Sequence, residues 1–236
     1  MKAQGIYKKE FRELIERFAH IPDYYVGIGN PDAEILIVGK EGVTKDIPEG
    51  EISLSSQWLR KIEAGEPVDF NFRNPDGRPF RIGDTYTKYQ KLHDYIFSEE
   101  RGSGIGREVD FFKNIFITEM NVNRARMSKE ASKEGMQKRK EEFFRDTEFI
   151  RQFPVVVLAC GAYVDNCRKK EIDAIFGVEF DAEYRSDDAS GAQAFWTHYN
   201  AGRTKLVIHT RQLSSDVRDT LLRKMAGVIR EFLDKQ

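Results

Sequence analysis

Two residues at the ends of apolar runs have side chains able to do chemistry. The run Lys205-Leu-Val-Ile ends in His209, and the polar loop His-Thr-Arg-Gln-Leu-Ser (209–214) leads on into an amphipathic segment. Glu34-Ile-Leu-Ile-Val-Gly (34–39) runs into Lys40-Glu41-Gly42, so a carboxylate leaves a second apolar run at a Gly-flanked turn. A strand followed by a polar loop and a helix places such residues at the carboxyl edge of an α/β sheet, where ligands bind. A carboxylate there can hold a water, and a neutral imidazole can stabilise charge building on an oxygen. If the two strands are neighbours, the pair makes a hydrolytic site. If they are not, Glu41 is a loop carboxylate paired with Lys40 or Lys45, and His209 is a buried histidine satisfied by backbone.

The elements that must position these groups are legible as periodicity. Tyr7, Phe11, Leu14 and Phe18 recur at helical spacing and predict an N-terminal helix over about 6–20. The first strand is expected at 34–39, followed by a loop (40–52), a short helix (53–64) and a long loop or hairpin over 65–84. Helical spacing returns over 85–97. Strands are expected at 114–118, 154–160 and 204–209, with a charged helix around 134–151. A two-stranded excursion is expected over 177–184 and 192–199, and a last helix carries Val217, Leu221, Met225, Val228 and Phe232. Four short, continuously apolar strands separated by helices predict a mainly parallel central sheet covered on both faces, a three-layer α/β/α sandwich.

Composition narrows the function classes. The 236 residues carry 38 Lys and Arg against 39 Asp and Glu, a net charge of −1. Bulk charge therefore gives no case for nucleic acid, and any such case must rest on local clustering. One cluster exists: Arg124, Arg126, Lys129, Lys133, Lys138, Arg139 and Lys140 stand against Glu130 and Glu134. A solvated helix face explains the same residues. With only Cys160 and Cys167, neither a disulfide framework nor a four-cysteine metal or iron–sulfur site can be built. No apolar run reaches a membrane-spanning length and the N-terminus lacks a secretory core, so a cytoplasmic protein is expected. Neither a Gly-x-x-x-x-Gly-Lys-Ser phosphate loop nor a Gly-x-Ser-x-Gly elbow occurs.

Read in order, the strand ends are Gly39-Lys-Glu-Gly, Thr118-Glu-Met-Asn, Cys160-Gly and His209-Thr-Arg-Gln-Leu-Ser. Their order and spacing resemble the uracil-DNA glycosylase superfamily from about residue 26 to 225. In that family the first strand leads to Gly-Gln-Asp-Pro or Gly-Glu-Ala-Pro-Gly. The second ends near a base-reading Asn, the third ends in Gly, and His-Pro-Ser-Pro-Leu-Ser follows the last. The resemblance implies one uracil-DNA glycosylase-like domain over 1–236, with an inserted loop and helix region at about 43–84. It implies hydrolysis of the N-glycosidic bond of uracil or another deaminated base, hence a role in DNA repair by base excision. The implied partner is damaged or single-stranded DNA, with no cofactor, no metal, no membrane and a monomeric chain.

The resemblance also assigns roles. Glu41 takes the place of the water-positioning carboxylate, and His209 that of the histidine donating to the departing base. Gly39, Lys40 and Gly42 fall where backbone amides hold the base. Thr118 and Glu119 stand nearest the base-reading position, with Asn121 and Asn123 slightly further on; a Glu or Thr in place of the family Asn implies an altered base preference or lost excision, and Asn121 is the Asn taken as the reader. Asp76-Gly-Arg-Pro-Phe80-Arg-Ile-Gly resembles the Gly-Arg-Pro-Phe-Val-Gly motif of the iron–sulfur class, which makes Phe80 the stacking candidate; that class's cluster cysteines are missing. In the last loop Thr210, Arg211 and Gln212 replace Pro, Ser and Pro. Arg211 is the phosphate contact in place of a serine, beside Ser214, Arg124 and Arg126. Leu213 is a wedge into the duplex or a hydrophobic staple for the last helix. These substitutions fall on chemical positions, so a non-excising nucleic-acid or nucleotide-binding protein on the same fold stands as the alternative.

Overall fold

Ile35 to Val38, Val155 to Leu158 and Leu206 to Ile208 are each completely buried, as strands covered on both faces must be. The computed structural model of the protein describes residues 7–21, 24–43, 54–68, 84–97, 109–125, 128–166, 170–187, 193–213 and 216–236. Its strands are β1 (Ile28–Gly29), β2 (Ile35–Val43), β3 (Ile115–Ala125), β4 (Val155–Leu158), β5 (Glu179–Arg185), β6 (Ala194–Tyr199) and β7 (Leu206–Thr210). They form one seven-stranded mixed sheet in the order β1-β3-β2-β4-β7-β6-β5. The neighbours β3, β2, β4 and β7 are parallel. The edges are antiparallel: β1 on β3, and the β5–β6 hairpin on β7.

The helices are α1 (Lys9–Phe18), α2 (Leu54–Ala64), α3 (Asp84–Phe97), α4 (Met136–Arg139), α5 (Glu148–Arg151), α6 (Glu171–Phe176) and α7 (Asp219–Leu233). Two apolar clusters lie on opposite faces of the sheet. The first packs Phe11, Trp58, Phe144, Phe149 and Ile172 against Leu36, Phe116, Val156 and Val207. The second packs Leu92, Phe111, Leu221 and Met225 against Ile35, Ile117, Val157 and Ile208. Odd and even residues of each strand feed different clusters, so the architecture is helix, sheet, helix. No helix among the described residues is long and apolar enough to cross a membrane.

Four elements differ from the sequence expectation. β2 and β3 run on past their apolar stretches to Val43 and Ala125, because each supplies the other's backbone partners there (Gly39↔Glu119, Glu41↔Asn121). The expected helix over 134–151 is broken into α4, a π-helical turn at Lys140–Arg145, and α5. The wider turn lets the adjacent Phe143 and Phe144 both bury in the first cluster. β1 is an additional edge strand. Of the expected insertion, 44–53 and 69–83 lie outside the described residues, and with them Phe80.

Candidate active site

The parallel strands reverse their order of addition at β2: β3 lies on one side of it, and β4 and β7 on the other. The carboxyl end of such a switch point is the place where an open α/β sheet presents a crevice. Here β4 is short. Its pairing with β2 stops at Val38↔Leu158, while β2 continues to Val43 and β7 to Thr210. The result is a notch over the end of β4, about 10 Å wide between its flanking strands, two inter-strand spacings. The chain crosses it as a 3-10 turn, Gly161–Tyr163. Gly161 enters that turn at φ 52°, a left-handed conformation that favours glycine.

Glu41 is held at this notch from both sides. Ser128, in the segment after β3, donates its hydroxyl to Oε1. Tyr163 donates its hydroxyl to Oε2 at 2.5 Å. Burial and the Glu41 charge raise the Tyr163 pKa, so the phenol stays a donor. The ammonium groups of Lys40 and Lys133 lie 5.2 and 5.1 Å from the Tyr163 ring centroid. A carboxylate with one bond on each oxygen keeps further acceptor sites for a water.

His209 reaches the same turn from the other flank. Its Nε2 stands 2.9 Å from the Gly161 carbonyl oxygen, so Nε2 carries the proton and donates. Nδ1 is then a bare acceptor, buried and without a partner among the described residues. Burial lowers the His209 pKa, outweighing the Gly161 bond, and the ring is neutral at pH 7. It lies 5.6 Å from the Trp196 ring. Pleating sends His209 and Glu41 off opposite faces, since Val207 feeds the first cluster and Ile35 and Ile37 the second. The turn joins them: Gly161 accepts from His209, and Tyr163 donates to Glu41. They are two ends of one backbone turn and not a facing dyad.

The expected base readers have other work. Thr118 Oγ1 donates to the Val26 carbonyl at 2.7 Å and accepts from Arg139 Nη2 at 3.1 Å. Asn121 Nδ2 donates to the Ser132 carbonyl at 2.7 Å, and its Oδ1 accepts from the Asn123 amide at 3.0 Å. Both are 1 % exposed, so neither offers a free edge to a base. Leu213 is 0 % exposed in the second cluster with Val217 and Leu221, so it does not project as a wedge; nor is it the helix staple, because the last helix is capped at Arg218, five residues further on. Arg211 is exposed beside the turn, its Cα 4.0 Å from where a Gly161 Cβ would stand. Gly39, Lys40 and Gly42 lie inside β2, and Arg124 lies in β3. Arg126 and Ser214 lie outside the described residues. The basic run loses two members to the interior: Arg139 is 2 % and Lys140 4 % exposed, the latter bonded to Glu171 at 2.8 Å.

Glu119, Tyr163 and Ser128 complete the candidate site; Glu119 stands at the base-reading position by sequence, while Tyr163 and Ser128 carried no assignment from it. Glu119 sits opposite Gly39, and its carboxyl lies flat on that glycine: a Cβ there would fall 2.2 Å from Oε2. The residue keeps some exposed surface, but Oε2 is sealed and has no hydrogen-bond partner among the described residues. Burial, reinforced by the Glu41 charge and opposed by Arg139, pushes its pKa up to about 8. Arg139 grips the strand end from the opposite face, donating to the Glu119 and Tyr25 carbonyls at 2.9 and 2.8 Å. Its guanidinium lies 4.1 Å from the centroid of the Phe143 ring.

Metal-ligating residue types converge once among the described residues, at His93, Asp94 and Asp110. The amide of Gln90 already donates to both carboxylates, at 2.9 and 2.7 Å. The other end of that amide accepts from the Asp110 and Phe111 backbone, so its orientation is fixed. The cluster ties α3 to the turn before β3 and presents no open ligand set. No protein-family model matches the chain, and none of the curated proteins matches it.

Proposed function

We propose that the chain hydrolyses the N-glycosidic bond of a deaminated base in DNA at the notch over β4, as a divergent uracil-DNA glycosylase-like enzyme. The observation that carries this reading is the placement of Glu41: a carboxylate at the carboxyl end of the switch-point strand, fixed from two sides by hydroxyl donors. Cleavage leaves positive charge on the sugar, and a preorganised carboxylate both stabilises it and takes a proton from the attacking water. His209 contributes by holding the turn that carries Tyr163. It reaches the departing base directly only by exchanging the Gly161 carbonyl for a base oxygen. Arg211 is exposed where a phosphate contact would stand.

The second reading, a non-excising nucleic-acid or nucleotide binder, is favoured by Thr118 and Asn121, whose hydrogen bonds are spent inside the fold, and by Leu213, whose burial withholds it from the duplex. One experiment separates the two. Labelled single- and double-stranded oligonucleotides carrying uracil, hypoxanthine or xanthine are incubated with the protein and cleaved with alkali, and the same samples are run on a native gel. Strand cleavage at the altered base, lost in Glu41→Gln, supports the enzyme. A shifted band without cleavage supports the binder, and neither outcome on any substrate removes both.

A further inference from the structure

N-glycosidic cleavage needs two things: a base for the water on the sugar side, and a proton or donor for the nucleobase as it takes the bonding electrons. His209 spends its one N–H on Gly161, which leaves the second role without an owner. A second carboxyl lies beside the notch, against Gly39 of its flanking strand β2. Glu119 stands on β3 opposite Gly39, and Glu41 is two residues further along β2 and so on the same face. Strand spacing and rise put the two Cα atoms about 8 Å apart. Glu119 is also built in. A Cβ at position 39 would displace its carboxyl from this place, and the sealed Oε2 finds no partner among the described residues. An oxygen in that position suits the carbonyl of a neutral acid and penalises a carboxylate.

We infer that Glu119 is the proton donor to the departing base, and that it and Glu41 form an acid–base pair across the scissile bond. This rests on the glycosylase reading. The C1′–N bond breaks with its electron pair going to the base. The base takes the Glu119 proton, water adds its oxygen to C1′, and the proton lost by that water goes to Glu41. The pair is reset by passing one proton back from Glu41 to Glu119, directly or through solvent. Two carboxyl groups whose surroundings pull their protonation states apart are the general signature of such a division of labour. Burial holds Glu119 protonated up to a pH of about 8. Burial sets this first, the Glu41 charge on β2 adds to it, and Arg139 at the end of α4 opposes it; Tyr86 and Tyr89 on α3 and Cys160 after β4 also face the carboxyl, and its charge would raise their own pKa values. Glu41, whose two oxygens accept from the Ser128 and Tyr163 hydroxyls, is the partner that takes the proton from water. A neutral acid at this position also donates to the exocyclic oxygen that deamination creates, and faces the amino group of an undamaged base donor to donor.

The test is a single-turnover excision series with the full-length chain on oligonucleotides carrying uracil or 5-fluorouracil, from pH 6 to 9.5, for wild type and Glu119→Gln. For wild type on uracil, the rate is expected to fall tenfold per pH unit above about 8. Gln keeps a donor of the same shape but cannot pass a proton. Its rate on uracil should fall at least about a hundredfold and lose that alkaline limb. On 5-fluorouracil, whose electron-withdrawing fluorine stabilises the leaving anion and so reduces its need for a proton, its deficit should shrink to less than about tenfold. Equal deficits on both bases, or an alkaline limb that survives in Glu119→Gln, overturn the assignment while the glycosylase reading stands. The wild-type pH profile tests the same point should the variant fail to fold, and a flat profile overturns the assignment. Wild type that excises neither base overturns the reading and the assignment together.

Discussion

Protonation of Glu119 in the folded chain has a consequence that needs no substrate. Its carboxyl is pushed from an ordinary value of 4.5 up to about 8, with burial the first cause and the Glu41 charge the second. Between those values the folded chain holds a proton that the unfolded chain has released. The unfolded state binds fewer protons, so stability is complete below pH 4.5 and is lost as pH rises through 8. At about 1.4 kcal/mol per pH unit, the whole span has a ceiling of roughly 5 kcal/mol, of which roughly 4 kcal/mol falls between pH 5 and 8. Other groups titrate in this range, so the quantity to measure is a difference. Urea unfolding of wild type and Glu119→Gln at pH 5, 6, 7 and 8 yields two stability curves. Wild type should lose stability relative to the variant steadily toward alkaline pH. Parallel curves, or a wild type that gains on the variant as pH rises, would refute the claim that Glu119 is buried as a neutral acid.

Three substitutions probe the rest of the site. Leu213→Ala should cost about 2–5 kcal/mol of stability, because it empties a fully buried position; a thermal melt little changed, with DNA binding lost, would restore the wedge. Tyr163→Phe removes one donor from Glu41, and losing a bond to a charged group worth about 1.5–3 kcal/mol should slow single-turnover excision roughly ten- to a hundredfold while base preference stays put. Thr118→Val leaves the Val26 carbonyl and Arg139 Nη2 short of a partner; it should destabilise by about 1–3 kcal/mol without altering which base is excised, and a changed preference would return Thr118 to base reading.

The fold was legible wherever the hydrophobic pattern and the burial coincide. Ile35 to Val38, Val155 to Leu158 and Leu206 to Ile208 read as buried strands because both of their faces are covered. The polar continuations of β2 and β3 did not, since Lys40, Glu41 and Asn121 stay in the sheet through backbone pairing that no side-chain pattern records. β1 is only two residues long, too short to show alternation. The helical period runs unbroken through Phe143 and Phe144, so the π turn is invisible until packing is known. At the site, Glu41 and His209 were readable from type and position at strand ends. What each residue spends its hydrogen bonds on was not. Thr118 is claimed by Arg139, Asn121 by Ser132, and His209 by Gly161, all partners set by the fold and not by spacing. Tyr163 gave one usable sign, an aromatic two residues after the glycine that follows the third apolar run. Glu119 gave another, a carboxyl directly opposite Gly39 once the two strands are aligned.

The central claim is that Glu41 serves N-glycosidic cleavage. Its most direct test is release of free base from a uracil- or hypoxanthine-containing oligonucleotide under single-turnover conditions, with wild type and Glu41→Gln side by side and binding measured on the same samples. Release by wild type is expected, with a fall of at least about a hundredfold in the variant and binding retained. Release at equal rates by both proteins, or binding by wild type with no release of either base, would contradict the claim.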